Sequence, residues 1–254
     1  MVLIWVPLRA NGEDAAPWLE QCSKGPVVRG IDVSSWQGEV NWPAVRAAGA
    51  RFAYVRVSDG ATAPDPQFAR NWLEAARAGV LRGAYQYFRP AEDPEEQADL
   101  FLDLVGNPMS GDLPPALDVE TGAGLDSDVV VAGIERWVSR VRRATTMAPV
   151  IYTSASAWLT GTGNTDRFRK LALWIAHHEV ACPNTPIAWR RWTFHQSAAA
   201  GALEGVAGAV DLDLFQGTLG ALERMRLGDG AAARAAWKRW RRLHPPAPEL
   251  TDLP

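Results

Sequence analysis

Short apolar runs alternate with longer amphipathic stretches along most of this chain. Residues 27–32, 52–57, 83–87, 116–120, 150–153, 171–176, 193–196 and 210–215 read as eight strands, apolar runs bounded by turn residues. Helical spacing fills the gaps between the earlier ones. Asn41 caps a helix whose first turn holds Pro43, which reaches Ala48 and is closed by Gly49. Phe68, Trp72, Leu73 and Ala76 share one face of a helix over 66–78, closed by Gly79. A helix over 94–105 opens on Glu95 and Glu96, and one over 127–143 ends on Arg140, Arg142 and Arg143, both signs suiting the helix dipole. Residues 218–226 are helical as well. Alternation runs through about the fifth strand, and shorter, less helical links join the rest. Eight strands in about 190 residues predict an α/β fold, an irregular TIM-like barrel whose last part has lost helices. An open doubly wound sheet would bring a Gly-rich phosphate loop after the first strand, and none is present.

The polar residues within this pattern suggest chemistry. The stretch 113–120 reads Leu-Pro-Pro-Ala-Leu-Asp-Val-Glu, and strand alternation points Asp118 and Glu120 the same way. Burial and mutual repulsion raise a carboxyl pKa, so one of the pair stays protonated near neutral pH while the other ionises. An acid beside a carboxylate is what acetal cleavage needs. Taken alone, the pair also fits the solvated end of an edge strand. Asp32, Asp59, Gln86, Asp118, Glu120, Tyr152, His177, Gln196, Asp211 and Asp213 all fall at or just beyond strand C-termini, or within the last strand. Active sites of parallel barrels are built at that face.

Composition narrows the options. A chain of 254 residues, 47% hydrophobic and with a net charge of −3, suits one large domain and shows no dispersed basic face for nucleic acid. Most of the twelve tryptophans are expected in the core, with about a quarter lining a cleft. The acids lack a His/Cys ligand spacing, so neither metal nor cofactor is expected. Cys22 and Cys182 fit no metal motif either; they form one disulfide tying an N-terminal arm to the barrel in an exported protein, or they are two inert thiols. Residues 1–8 are apolar but too short to span a membrane, and lack a basic leader and a small-x-small cleavage site. The chain divides into an arm or leader remnant (1–26), a barrel domain (27–228) and a basic helix with a Pro-rich tail (229–254). In that helix Trp237 and Trp240 share a face, which either packs on the barrel or leaves a basic amphipathic surface for weak contact with an anionic envelope.

Several segments follow one another along the chain: Gly-Ile-Asp-Val-Ser-Ser-Trp-Gln-Gly at 30–38, Asn41-Trp42, residues 52–60, Gly-Ala-Tyr-Gln-Tyr-Phe-Arg-Pro at 83–90, 113–120, Tyr152-Thr153, Leu-Trp-Ile-Ala at 173–176, 192–197, and Val-Asp-Leu-Asp-Leu-Phe at 210–215. Together they cover 28–225, and the chain resembles the family 25 glycoside hydrolases, the Chalaropsis-type lysozymes or N-acetylmuramidases. That resemblance implies a (β/α)5(β)3 barrel and hydrolysis of the β-1,4 bond between N-acetylmuramic acid and N-acetylglucosamine in peptidoglycan. It implies Glu120 as general acid, Asp118 as its stabilising partner, Asp32 and Asp211 completing an acidic cluster, and Tyr85, Tyr152 and Trp174 in the cleft. Gln86, Gln196 and Asp59 join them as expected substrate contacts. The chain departs from the family at Asp59, where many members carry Glu, at Gln86, where His is frequent, and at His195, where Trp is frequent; Asp213 is often Asn. The implied partner is the peptidoglycan glycan strand, met by a monomer in an extracellular or periplasmic setting. A non-catalytic wall-binding module on the same scaffold is the alternative, and it would need the aromatics but not the acids.

Overall fold

Each apolar run has two faces to bury, and the fold supplies a separate core for each. The structure, a computed structural model, describes residues 16–106, 111–226 and 231–244. The first half of the chain comprises β1 (Trp18–Glu20), β2 (Val27–Val33), α1 (Trp42–Ala47), β3 (Phe52–Asp59), β4 (Ala63–Pro64), α2 (Phe68–Arg77), β5 (Leu81–Tyr87), α3 (Pro94–Val105) and β6 (Ala116–Asp118). The second half comprises α4 (Ser127–Thr145), β7 (Val150–Thr153), α5 (Ala155–Thr162), β8 (Ala172–Ala176), β9 (Asn184–Pro186), β10 (Phe194–Gly201), β11 (Val210–Gln216), α6 (Leu219–Arg224) and α7 (Ala231–Leu243).

Eight strands close into a barrel in the order β2-β11-β10-β8-β7-β6-β5-β3, with β3 pairing back to β2. Five strand–helix pairs come first, and β8, β10 and β11 follow without crossover helices between them. Between the eight barrel strands the ladders are parallel except the two made by β11, which runs against β10 and β2. The outer faces of the strands, with Ile31, Val55, Leu117, Ile151 and Ile175, pack under the helices against residues such as Phe101, Ile134 and Trp137. The inner faces hold Phe52, Tyr54, Tyr85, Tyr152, Trp174, Phe194 and Phe215. The Trp174 ring lies 4.7 Å from Tyr54 and 4.8 Å from Tyr152, centroid to centroid. These rings fit because Gly30 and Gly83 are inward positions without side chains. A Cβ at Gly83 would lie 2.4 Å from the Tyr54 ring, and one at Gly30 2.4 Å from Phe52.

Several expectations need adjusting. The fourth barrel strand stops at Asp118, so Glu120 stands on the chain leaving the ladder, although Val119 N–H still donates to Tyr152 O at 2.9 Å. Helix α5 was not expected. Its Ala/Ser/Thr/Gly composition carries little periodicity, yet Ser154 caps it by accepting from Ala157 N–H at 3.1 Å. Part of the arm is a strand: β1 pairs antiparallel with β9, and the Gln21 amide donates to Thr185 Oγ1 at 2.6 Å and Trp189 O at 2.7 Å. Cys22 and Cys182 are bonded beside this pair.

The face of α7 that holds Trp237 and Trp240 packs on α4, both rings buried and stacked 4.9 Å apart, and Arg241 pairs with Asp103 of α3. Lys238, Arg239 and Arg242 face outward. The apolar start at residues 1–8 and the Pro-rich end after His244 lie outside the described residues.

Two outcomes are expected from this architecture. Alkylating the denatured, unreduced protein leaves its mass unchanged, and replacing both Cys22 and Cys182 by Ser lowers the unfolding free energy by about 2–4 kcal/mol in denaturant melts. Deleting residues 231–254 uncovers α4 and lowers the Tm by roughly 5–10 °C in a thermal melt.

Candidate active site

The parallel strands all end at one mouth of the barrel, and β11, running the other way, begins there. Asp32 near the end of β2 therefore faces Asp211 at the start of β11 in direct register, and Asp213 sits one layer deeper opposite Gly30. Asp118 and Glu120 arrive from β6 and the residues beyond it, Tyr85 and Tyr87 from β5, Tyr152 from β7, Trp174 from β8 and Gln196 from β10. These groups line a cleft of about 770 Å³, with the exceptions of Asp213 beneath it and of the residues discussed below.

Hydrogen bonds fix the side chains in two linked groups. Gln196 Nε2 donates to Asp32 Oδ2 at 2.7 Å, and Gln196 Oε1 accepts from the Tyr152 hydroxyl at 2.9 Å. His178 Nε2 lies 2.8 Å from the same oxygen and so carries its proton there. Trp174 Nε1 donates to Asp213 Oδ1 at 2.8 Å. Asp118 and Glu120 are in hydrogen-bond contact with each other, and Tyr152 also reaches Glu120.

This arrangement cannot ionise fully. Burial pushes Asp118 well above the ordinary carboxyl range, and the Glu120 charge pushes it further, against a smaller pull from Arg56. Burial also raises Glu120, but the hydrogen bond from Asp118 opposes the rise. Burial and the Glu120 charge thus favour the protonated form of Asp118, and the hydrogen bond between the two favours the charged form of Glu120. Burial raises Asp32 well above its usual value, with Asp213 and Asp211 adding to the shift. Asp213 is raised by burial as well, while its bonds to Trp174 and Asp32 work against this. The Asp32–Asp211–Asp213 cluster thus shares protons as a unit. Asp118 Oδ1 and Asp213 Oδ2 have no hydrogen-bond donor among the described residues unless a neighbouring carboxyl supplies the proton.

The structure brings together Asp32, Asp118, Glu120, Asp211, Tyr85, Tyr152, Trp174 and Gln196. It places two expected substrate contacts elsewhere. Gln86 alternates outward between Tyr85 and Tyr87, where its amide donates to Ser58 Oγ (2.7 Å) and Gln97 O (2.9 Å) and accepts from Trp137 Nε1 (2.6 Å). It anchors helices α3 and α4 to the sheet. Asp59 stands outside the lining, held by both arms of Arg89 at 2.5 and 2.7 Å, and Arg89 in turn covers the Tyr87 ring. His195 also faces outward, against Trp192.

Other groups in the cleft were missed from sequence. Trp36 is 85% exposed at the lip. It rides a 3-10 turn (Ser35–Gln37) capped by Ser34, and Asp65 braces the turn by accepting from Ser35 N–H at 2.8 Å and pairing with Arg56 at 2.9 Å. A tryptophan set in the polar loop Ser-Ser-Trp-Gln-Gly was the available signal. Among the described tryptophans, Trp36 and Trp174 line the cleft, and most of the rest are core. His178 was passed over for His177, whose Nδ1 instead accepts from Asn184 N–H at 2.9 Å. Continuing the alternation Trp174, Ala176 would have selected His178. Among the described residues, the one grouping of His, Cys and acids close enough to hold a cation is Glu20–Cys22–Cys182, whose sulfurs are in the disulfide.

Comparison with known proteins agrees with this geometry. The sequence matches Glycosyl hydrolases family 25 over residues 31–206. It is 40% identical over 202 residues to Lysozyme M1 of Streptomyces globisporus, covering 75% of this chain and 68% of that one. It is 32% identical over 203 residues to the N,O-diacetylmuramidase of Chalaropsis sp, covering 72% and 96%. The fold superposes on the crystal structure of the bacterial lysozyme from Streptomyces coelicolor with a TM-score of 0.75 and 38% identity, covering 78% of this chain and 96% of that one.

The raised carboxyls set a pH dependence. A group that binds its proton more tightly when folded contributes stability that is full below the unfolded pKa, near 3.8 for Asp, and is lost as pH rises through the folded pKa. Asp32, Asp118 and Asp213 therefore cost stability as pH rises from about 4 towards neutrality. Asp32→Asn is expected to gain Tm relative to the wild type as pH rises over that range. Tm measured against pH for both proteins checks this, and a difference that shrinks with rising pH would contradict the buried, protonated cluster.

Proposed function

The chain belongs to the family 25 glycosyl hydrolases and is a glycoside hydrolase. From that premise we propose that it cleaves the β-1,4 bond between N-acetylmuramic acid and N-acetylglucosamine in peptidoglycan, with Glu120 as general acid and Asp118 as its partner. The observation that carries this is the Asp118–Glu120 contact in a cleft walled by Tyr85, Tyr152 and Trp174. The printed names of the relatives, lysozyme and N,O-diacetylmuramidase, support the substrate.

One shared proton can serve both roles. Substrate entering the cleft displaces water from around Glu120, the more open of the two acids, and removes the solvation that favours its charge. The proton passes from Asp118 to Glu120. Glu120 then gives it to the glycosidic oxygen as the bond to the anomeric carbon breaks, and Asp118 is left as a carboxylate as positive charge develops on the sugar. Two carboxyls in contact cannot flank the anomeric carbon from opposite faces, as those of an inverting pair or of a nucleophile–acid pair do. Asp118 is therefore suited to hold the substrate's own N-acetyl group against that carbon. Water then completes hydrolysis, and Glu120 recovers its proton from it.

The remaining groups position. Asp32, tied through Gln196 to Tyr152 and His178 and in contact with Asp211, braces the wall of the cleft, and the exposed face of Trp36 suits the apolar C–H face of a sugar ring. The substrate and the Cys22–Cys182 disulfide both suit action outside the cytoplasm, in an extracellular or periplasmic setting.

Digesting purified peptidoglycan and analysing the reduced products by mass tests the assignment. Wild type is expected to yield muropeptides ending in reduced N-acetylmuramic acid, and Glu120→Gln to lower the rate by roughly 100- to 10,000-fold while remaining folded. Products ending at N-acetylglucosamine would change the bond cleaved. A folded wild type that pulls down with the wall and releases nothing would reduce the protein to a binding module.

A further inference from the structure

The opposite mouth of the barrel carries a second recess, of about 840 Å³, where β8 and β10 begin and β11 ends. Trp189, Trp192, Phe215 and Met225 form part of its wall. Arg169, Lys170, Arg190 and Arg191 stand exposed on its rim. Arg169 is paired with Asp166 at 2.6 Å, but among the described residues no acid forms an ion pair with Lys170, Arg190 or Arg191. In a chain of net charge −3, this is a local excess of positive charge. Helix dipoles do not account for it. The cations of the last turns of α1, α2 and α4, such as Arg46, Arg77 and Arg142, answer helix C-termini, whereas these four lie in the turns leading into β8 and β10. Cations gathered round one hollow repel each other until an anion joins them.

We propose that this recess binds a linear phosphodiester polymer, so that the end of the enzyme remote from the cleft holds the anionic component of a cell wall. Three features favour this ligand. Guanidinium groups match phosphate oxygens with paired donors, and a polymer meets several cations at once. The cations come from two separate turns lining one recess, before β8 and before β10, a spread that a chain of phosphates can follow. The tryptophans of the recess are buried and their N–H groups are used internally, Trp189 to Leu171 O at 3.0 Å and Trp192 to Gln21 O at 2.9 Å, so neither is presented as an interfacial anchor. The glycan-cleaving function only says where such a polymer would be met; the recess itself rests on charge and shape.

The test titrates the full chain with synthetic poly(glycerol phosphate) at low and high salt, comparing wild type with the triple variant Lys170→Gln, Arg190→Gln, Arg191→Gln. Wild-type binding is expected to weaken with salt, and the variant to lose at least about tenfold in affinity. The variant keeps its Tm and its rate on a soluble, phosphate-free glycan oligomer. Equal affinity of the two proteins would overturn the proposal. So would loss of polymer binding on Glu120→Gln, which would place the polymer in the cleft, or tighter binding to phosphatidylglycerol vesicles than to the polymer. Polymer binding that maps to the recess in a protein unable to cleave the oligomer would sink the hydrolase specificity and leave this site standing.

Discussion

The structure depends on carboxyl groups kept in a barrel mouth whose floor is aromatic. Tyr54, Tyr85, Tyr152, Trp174 and Phe194 fill the interior, so water cannot solvate Asp32, Asp118 or Asp213 from below. An isolated charge there would be costly, and the fold meets that cost with shared protons and a few fixed donors. Trp174 shows how tightly floor and site are joined: its ring packs among the tyrosines, and its N–H holds Asp213. Gly30 and Gly83 belong to the same arrangement, because without them the rings of Phe52 and Tyr54 would have no place to lie.

Much of this was legible in the sequence because the barrel repeats a simple rule. Strand runs recur, a readable helix follows each of the first four, and polar residues collect at strand ends; Asp32, Asp118, Glu120, Tyr152 and Gln196 could be placed on that basis. The misses are places where position along the strand mattered more than residue type. Gln86 and Asp59 lie near strand ends as expected, but one alternates to the helix side and the other is taken by Arg89. His177 and His178 differ by one residue and face different neighbours. Trp36 sits in a loop that no periodicity describes, and its placement depends on the Ser34, Asp65 and Arg56 contacts that hold the turn. The β1–β9 pair was hidden because three-residue strands carry no pattern.

The reversal of β11 has a chemical consequence. Had it run parallel, its inward acids would have entered from the other end of the barrel, beneath the aromatic floor. Running antiparallel, it delivers Asp211 and Asp213 to the mouth from its first residues, in register with β2. That puts Asp211 beside Asp32 and Asp213 one layer below it. The lost crossover helices thus permit a cluster that eight parallel strands would have to build from loops.

Charge is also sorted along the barrel axis. Each crossover helix returns from the mouth to the base, so its N-terminus lies at the catalytic end and its C-terminus at the base. Asp93 caps α3 by accepting from Glu95 and Glu96 N–H groups, which holds its pKa below the ordinary value, and Arg142 and Arg143 close α4 at the other end. The sorting therefore follows first from helix capping and carries no functional weight by itself. What capping cannot produce is an excess of one sign in turns outside helices, with no ion-pair partner. The buried acids at the mouth stand in strands, and Lys170, Arg190 and Arg191 at the base stand in turns without an ion-pair partner among the described residues; neither group caps a helix, and each lines a hollow.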